Sequence, residues 1–370
     1  MVFYFIILFY WLILLVTDKS QKMTRGKLFF AILPLYLIMA LKSVSVGCDT
    51  ISYYNRYIGA ADMFTVEIAI TEQGYNWLSY FFHDILDVPF YVYYAAVSLI
   101  ICFVLALFIK HFSTNIYLSL YFYMTIGLFT MSMSGLRQML AISICMLPVI
   151  WAKKREDNGI ENRKHKVWRL IVSVLLVFWA YSFHNSAIIF LPILFLLQLR
   201  LSRRQTIIIM VIGIAASLLL RNALVSFMGN FVTEKYEKYS LTGSYAMNTL
   251  MLLVPIAIGL FCVFISRPKD GERVYSKALS SMFIFLTLVV MFNNLALSNN
   301  QIARLGYYFM ESYIILIPFA LKKLPTNIRS VVTAAVILLC FVFFYLGTDG
   351  GTLEIDNYKF FWQEPIYLNN

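Results

Sequence analysis

Residues 90–109 read FYVYYAAVSLIICFVLALFI, a run of 20 residues without a charged side chain. A helix needs about 20 apolar residues to cross the hydrocarbon core of a membrane, so this run is long enough to do so. Similar apolar blocks recur along the 370-residue chain, which is 61% hydrophobic and only 13% charged. Soluble domains carry roughly 25% charged residues, so the composition excludes both a soluble enzyme and a disordered chain.

The apolar blocks predict an all-α integral membrane protein that forms a single polytopic domain over residues 1–370. We expect about twelve transmembrane helices from the block lengths. They are placed at residues 2–16, 27–41, 90–109, 115–131, 135–151, 168–182, 184–199, 206–220, 247–265, 278–296, 304–321 and 330–346. Three long pieces outside the blocks, residues 42–89, 221–246 and 347–370, are rich in aromatic side chains, which predicts structured rather than disordered loops.

The charged residues set the predicted orientation in the membrane. The connections between the blocks fall into two alternating sets, and one set holds 22 of the 30 basic residues but only 6 of the 19 acidic ones. Cytoplasmic loops are enriched in Lys and Arg, so this set should face the cytoplasm, with both termini and the three long pieces outside. The net charge of +11 then reflects orientation and contact with anionic lipid rather than nucleic-acid binding.

Few ionisable residues fall within the predicted spans, and those that do lie near the outer ends. They are Arg137 in SGLRQM, His184 in SFHNS, Arg304 in ARLGYY and Glu311 two turns further on. Two arginines and a histidine at one end of a bundle predict a pocket for an anion such as a diphosphate, because guanidinium groups bind phosphate oxygens through paired hydrogen bonds. The alternatives are snorkelling of the arginines toward headgroups and simple packing of His184.

The first long loop adds a second group of candidates. Its segment KSVSVGCDTISYYNRY contains Lys42, Asp49, Thr50, Tyr53 and Arg56. Gly47 in this segment permits a tight turn, and Asp49 and Thr50 could simply cap a short helix that begins at Ile51.

Glu72 opens a second segment of this loop, EQGYNWLSYFF, whose apolar residues recur at helical spacing. The pattern is typical of an amphipathic helix lying on the membrane surface, although simple packing on the bundle would explain it equally well. A favourable position at the start of a helix would also explain Glu72 without any function.

Five motifs resemble, in order and approximate spacing, the EpsG-like family of bacterial polysaccharide polymerases, which is related in function to the Wzy polymerases. They are VGCDTISYY with Lys42 ahead of it, EQGYNWLSYFF, SGLRQMLAISI, FHNSAIIFLPI and RLGYYF, within residues 42–309. One departure is Cys48, where we expect a small or hydroxyl residue between the glycine and the aspartate.

The resemblance implies a glycosyltransferase of the bacterial cell membrane. It would polymerise a capsular, exopolysaccharide or O-antigen type of polysaccharide by joining lipid-linked oligosaccharide repeat units at the outer face, with undecaprenyl diphosphate as the leaving group. No metal or cofactor is implied. The expected partners are the lipid-linked oligosaccharide, membrane lipids, a flippase and a chain-length regulator, and the fold is expected to resemble membrane glycosyltransferases by analogy.

The chemistry of this reaction suggests a role for each candidate. Arg137 and Arg304 should bind the diphosphate, on which negative charge develops, and His184 should accept the proton of the attacking hydroxyl, with Asp49 as the second choice. The predicted substrate-binding residues are Lys42, Thr50, Tyr53, Arg56, Glu72, Trp77, Gln138 and Tyr308.

Two functions from other classes stay open. A flippase or transporter of lipid-linked sugar would need basic residues along a path to the inner leaflet, whereas the candidates here lie at the outer end. A membrane acyltransferase that modifies surface glycans should take its donor from the cytoplasmic side. A ligase that transfers finished chains would use the same lipid diphosphate donor as a polymerase.

Overall fold

The computed structural model describes residues 1–20, 23–59, 72–158, 163–220, 223, 245–268, 272–296, 300–351 and 353–364. Within these ranges the regular structure is helical, and β pairing is limited to isolated bridges, Lys42 with Phe360 and Ser202 with Val274. The described part of the chain is therefore all-α, as the sequence predicts.

The first of two compact units comprises Met1–Leu191 and Thr333–Asn370. Its helices up to Leu191 are α1 (Val2–Thr17), α2 (Arg25–Ala40), α3 (Thr50–Ile58), α4 (Gln73–Tyr80), α5 (Phe90–Phe112), α6 (Ile116–Thr125), α7 (Leu128–Ser134), α8 (Leu136–Asn158) and α9 (Arg163–Phe183). A π turn, Phe81–Ile85, continues α4, and a 3-10 segment, Asn185–Phe190, follows α9. Helix α8 packs against both α5 and α9, so it lies at the centre of this unit.

The second unit is Pro192–Val332. Its helices are α10 (Ile193–Leu196), α11 (Arg203–Leu219), α12 (Tyr245–Ile265), α13 (Lys277–Ala296), α14 (Asn300–Gly306), α15 (Glu311–Lys323) and the start of α16 (Thr326–Thr348). Helix α13 packs against α11, α12 and α15 and forms the core of the unit. A capping box fixes the start of α11, because Ser202 and Gln205 exchange side-chain and backbone hydrogen bonds.

Several described helices are suited to a membrane. Four are long and apolar enough to cross one, namely Phe90–Phe112, Leu136–Lys153, Lys277–Leu295 and Thr326–Thr348. The pair α6 and α7 would make a fifth span with a 60° bend. The described part is therefore that of a multi-pass helical membrane protein, but the predicted number of twelve spans is not confirmed.

Three predicted spans, 115–131, 184–199 and 304–321, are not continuous helices. Gly127, with φ +104, separates α6 from α7, and Pro192, which has no backbone N–H, interrupts the second span. A 3-10 segment, Tyr307–Phe309, interrupts the third. An apolar block indicates burial or contact with lipid. It need not form a continuous helix where neighbouring elements form hydrogen bonds with its backbone groups.

The N-terminus, the turn at residues 41–49 and a tail segment meet at one end of the first unit. The amino group of Met1 donates to the carbonyl of Asp356 at 2.8 Å, and the N–H of Gly47 donates to the carbonyl of Glu354 at 2.9 Å. Similar backbone bonds join Ser43 to Lys359, Cys48 to Leu353 and Phe361 to Leu41. Residues 353–361, which we call the tail strap, therefore run along the turn.

An ion pair marks the opposite end of α1 and α2. Nζ of Lys27 lies 2.6 Å from Oδ1 of Asp18, and Tyr117 donates to Oδ2 at 3.0 Å. The hydrogen bond from Lys27 is the main reason why the pKa of Asp18 falls to about 2. The 16 residues of α1 separate the two ends by about 24 Å. This end carries the basic residues of the first connection, so we expect it to face the cytoplasm.

Candidate functional site

The turn at residues 41–49 requires glycine at position 47. Gly47 has φ +92, and a Cβ atom there would lie 2.5 Å from the carbonyl oxygen of Met133. The next residue is equally close to α7, because Sγ of Cys48 lies 3.0 Å from Oγ of Ser134. Since α3 begins immediately after the turn, these contacts fix α3 beside the junction of α7 and α8.

Lys42 holds the same turn from within. Its Nζ donates to the carbonyl of Val46 and, at 2.6 Å, to Oγ1 of Thr50, and it lies 4.5 Å from the ring centroid of Tyr94. Lys42 is only 5% exposed, and this burial lowers its pKa well below the usual value. A cavity of about 10 Å³ beside these residues has room for roughly one water. Lys42 and Thr50 thus stabilise the turn, and their contact with substrate stays a prediction.

A second glycine brings α4 against α9. A Cβ atom on Gly74 would lie 2.1 Å from Oγ of Ser182 and 3.1 Å from the backbone carbon of the same residue. The backbone of α4 at Gly74 therefore lies directly against Ser182 of α9, and Glu72, which precedes α4, comes beside the end of α9. Glu72 has φ +63, a left-handed conformation that is uncommon for residues other than glycine and that occurs often at functional sites.

The carboxylate of Glu72 joins three basic side chains. Its Oε2 accepts a hydrogen bond from Nη1 of Arg137 and lies 3.9 Å from Nη1 of Arg56. Its Oε1 lies 2.7 Å from Nδ1 of His184. The Glu72 side chain is 8% exposed, whereas those of Arg56 and Arg137 are 25% and 26% exposed. We call these four residues the Glu72 cluster, and its two guanidinium groups are partly exposed.

Tyrosine rings line one side of Arg137. Its Cζ lies 5.4 Å from the ring centroid of Tyr53 and 5.8 Å from that of Tyr75, within the range of cation–π attraction. Burial raises the pKa of both phenols, so both rings stay neutral. The buried Nε of Arg137 has no hydrogen-bond acceptor among the described residues. The side chain is thus held in position while one donor is left for a ligand.

Positive charge exceeds negative charge in the Glu72 cluster. Two guanidinium groups face one carboxylate, and burial, followed by the charge of Arg137, lowers the pKa of Arg56. Such a site favours an anion with several oxygens, since charge-assisted hydrogen bonds from arginine are among the stronger ones in proteins. His184 adds an imidazole, a group that can accept or donate a proton.

The model of the EpsG family matches residues 26–360, a range that includes the whole Glu72 cluster. The chain belongs to the EpsG family. Membership confirms the resemblance found in the sequence motifs and indicates a membrane protein of polysaccharide biosynthesis. No curated protein and no solved structure matches the chain.

The structure of this EpsG-family protein brings together five of the predicted site residues. They are Tyr53, Arg56, Glu72, Arg137 and His184. The sequence predicts that Glu72 binds substrate, but its closest described contacts are with the basic side chains. Across the described ranges, no three His, Cys, Asp or Glu side chains are grouped so that they could hold a metal ion.

Three other candidates lie on the elements around the cluster. Asp49 occupies the position before α3, which begins at Thr50, but its side chain makes no capping hydrogen bond. Trp77 on α4 is 58% exposed, and Gln138, next to Arg137 on α8, is buried. The part of Asp49 as a base and the contacts of Trp77 and Gln138 with substrate stay predictions.

Two candidates lie in the second unit. Arg304 is in the last turn of α14, and Tyr308 is fully buried in the 3-10 segment that follows. Their part in the same site stays a prediction from the sequence.

Tyr75 and the tail strap are not among the residues that the sequence predicts for the site. In the sequence, Tyr75 is one of the apolar residues at helical spacing that follow Glu72, although its place one turn after Glu72 puts both on the same side of α4. The tail strap leaves no such signal. It contacts the turn largely through backbone bonds, such as that from Gly47 to Glu354, and these do not depend on side-chain type.

Proposed function

We propose that this protein polymerises a surface polysaccharide of capsular, exopolysaccharide or O-antigen type. It would join undecaprenyl-diphosphate-linked oligosaccharide repeat units at the outer face of the cell membrane. The observation that carries the proposal is the Glu72 cluster, in which one carboxylate holds two arginines and a histidine in a helical membrane protein. Membership in the EpsG family supports polysaccharide biosynthesis.

The reaction exchanges one bond at the anomeric carbon of the donor sugar. A hydroxyl oxygen of the acceptor repeat unit forms the new glycosidic bond, and the bond from the anomeric carbon to the diphosphate oxygen breaks. The proton of the hydroxyl passes to a base, and undecaprenyl diphosphate leaves with the bonding electrons. Negative charge therefore grows on the diphosphate, where fixed cations stabilise the transition state most effectively.

The Glu72 cluster supplies groups for both halves of this reaction. Arg137 binds the leaving diphosphate, because its guanidinium is partly exposed and positioned by tyrosine rings. His184 takes the proton of the acceptor hydroxyl. Nδ1 of His184 faces Glu72, so the proton would pass through Nε2, and the carboxylate stabilises the imidazolium that forms.

The other predicted residues are assigned as an alternative base, as sugar-binding residues and as a further diphosphate-binding residue. Asp49, next to the turn, is the second choice for the base, and Tyr53 and Trp77 offer aromatic faces to sugar rings. Arg304 is a further candidate for the diphosphate. The lipid-linked substrate reaches the site from the outer leaflet, after delivery by a flippase, and a chain-length regulator acts with the polymerase.

The test is the length distribution of lipid-linked and surface glycans in three strains. One strain lacks the gene, one carries it again, and one carries it with Arg137→Ala. We expect single repeat units to accumulate on lipid at the outer leaflet in the first and third strains, and long chains to return in the second.

Other distributions would favour other functions. If single units stay in the inner leaflet when the gene is deleted, the protein moves lipid-linked sugars instead of joining them. If long chains persist and only their acyl groups change, the protein is an acyltransferase. If long chains accumulate on lipid without reaching their acceptor, the protein is a ligase.

A further inference from the structure

We infer that Arg56 and Arg137 together form the diphosphate-binding site, and that Glu72 occupies this site until the donor arrives. The inference rests on the proposed function, since that supplies the diphosphate. It adds Arg56 to the residues that bind the diphosphate and gives Glu72 a role in the binding step.

The geometry of the arginines supports a shared anion site. Arg56 from α3 and Arg137 from α8 both direct Nη1 toward the same oxygen, Oε2 of Glu72. That oxygen marks a position where an anionic oxygen receives a hydrogen bond from Arg137 and lies within ion-pair distance of Arg56, on a separate element. A phosphate oxygen has the same charge type and similar size, so it can take this position when the carboxylate withdraws.

The charges of the cluster favour replacement of the Glu72 carboxylate by a diphosphate. One carboxylate leaves the cluster with net positive charge, and the two guanidinium groups, which repel each other, are both partly buried. A diphosphate offers more negative charge and more oxygens than a carboxylate does. It can also accept a hydrogen bond from the buried Nε of Arg137, which lacks an acceptor among the described residues.

Glu72 links the binding of the donor to the base. Its Oε1 contacts His184 while its Oε2 contacts the arginines, so the two oxygens serve different partners. Once the diphosphate takes the arginines, the negative charge of Glu72 is no longer shared with them. It is then available to stabilise the imidazolium that forms when His184 accepts the hydroxyl proton. Glu72 is in this sense a positioning residue that activates the base when the donor is bound.

The experiment measures the binding of inorganic pyrophosphate to the full-length protein in detergent, together with kcat and KM for a lipid-diphosphate-linked donor. Glu72→Gln keeps the shape of the side chain but removes its charge. We expect pyrophosphate to bind at least about fivefold more tightly, because the arginines are no longer occupied, and orthophosphate to gain less. We expect kcat to fall about tenfold or more while KM also falls, since His184 loses its negative partner.

Tighter pyrophosphate binding together with a lower kcat distinguishes the inferred role of Glu72 from a purely structural role. A structural role for Glu72 would weaken pyrophosphate binding and lower kcat together, and that result would overturn the inference. Asp84→Asn is the matched control, because Asp84 is also a carboxylate beside a histidine, His83, at 3.2 Å. It should leave pyrophosphate binding and kcat unchanged.

A second variant keeps the test decisive if Glu72→Gln does not fold. Arg56→Lys retains Glu72 and one positive charge but loses the guanidinium fork, so pyrophosphate should bind about fivefold or more weakly. Unchanged binding would exclude Arg56 from the site and overturn the inference.

The two proposals fail in different ways. If the wild type polymerises repeat units but neither variant alters pyrophosphate binding, the inference is wrong and the proposed function stands. If the wild type does not polymerise repeat units although Glu72→Gln binds pyrophosphate more tightly, the proposed function is wrong and the anion site stands.

Discussion

Arg137 makes contacts that a lysine cannot reproduce. Its planar guanidinium lies against the rings of Tyr53 and Tyr75 while Nη1 donates to Glu72. Lysine keeps the positive charge but not the stacked, forked geometry. We therefore expect Arg137→Lys to lower the rate of polymerisation by about 10²- to 10³-fold, the usual loss when one transition-state donor is removed.

The measurement is donor turnover by purified protein, with the amount of protein in the membrane determined in parallel. Arg273→Lys is the control, because Arg273 is exposed and lies outside the Glu72 cluster. Full activity of Arg137→Lys would remove Arg137 from the site.

His184 should be needed for the chemical step rather than for binding. His184→Ala removes the base but leaves Arg56 and Arg137, so we expect the lipid-linked donor to bind normally and polymer formation to fall by about 10²- to 10⁴-fold. Binding of labelled donor and chain length, measured on the same preparation, check this. His83→Ala serves as the control, and normal polymerisation by His184→Ala would place the base elsewhere.

The chemistry of the site residues could be predicted from the sequence, but their pairing could not. Arg137 and His184 stand out because charged or titratable groups are costly in apolar segments. Glu72 is 65 residues from Arg137 and 112 from His184, and no local spacing relates residues so far apart. Their meeting depends on the tertiary contact between Gly74 and Ser182.

At the scale of elements, the contact between α4 and α9 positions the carboxylate of Glu72. Gly74→Ala would place a methyl group 2.1 Å from Oγ of Ser182, and overpacking of this kind costs about 1 to 3 kcal/mol. We expect a lower melting temperature in detergent and lower activity, because Glu72 moves away from His184. Gly26→Ala, where no atom lies within 4 Å, should change neither.

A compensating variant tests the cause of that effect. Ser182→Gly removes the two side-chain atoms that clash, so the double variant should recover part of the lost stability and activity. If Gly74→Ala is as stable and active as the wild type, the close approach of the two helices does not position Glu72.

Hydropathy predicted most helices but not their breaks. Helices α1, α2, α5 and α8 follow the predicted spans closely because long apolar blocks need internal backbone hydrogen bonding in a membrane. The breaks at Gly127 and Pro192 arise from single residues within such blocks. Their effect depends on the neighbours that pack around the exposed backbone groups.

Helix α4 buries polar side chains that a surface helix on a soluble protein would expose. Asn76 and Ser79, from the polar side of the pattern, are buried together with Tyr75, whereas Trp77 and Phe81 are exposed. In a membrane, apolar side chains such as Trp77 and Phe81 can face lipid, so polar side chains of the same helix can turn inward. The helical pattern was therefore correct, and the environment decides which side packs on the protein.

At the scale of the whole molecule, the Glu72 cluster and the Asp18–Lys27 pair lie at opposite ends of the first unit. The positive-inside rule predicts that the cluster faces outward, together with Met1 and the tail strap. In a Cys48→Ser background, we expect an impermeant thiol reagent to label Asp349→Cys but not Lys19→Cys in intact cells. Labelling of both after lysis is the control, and the reverse pattern would place the site in the cytoplasm.

The pairing of the tail strap with the first turn sets a sequence of events during biosynthesis. Residues 41–48 are synthesised some 300 positions before residues 353–361. The turn therefore lacks its hydrogen-bond partners in the tail strap while most of the helices are inserted. The N–H of Gly47 cannot bond to Glu354 until then. A nascent chain therefore holds an incomplete turn until residues 353–361 have been made.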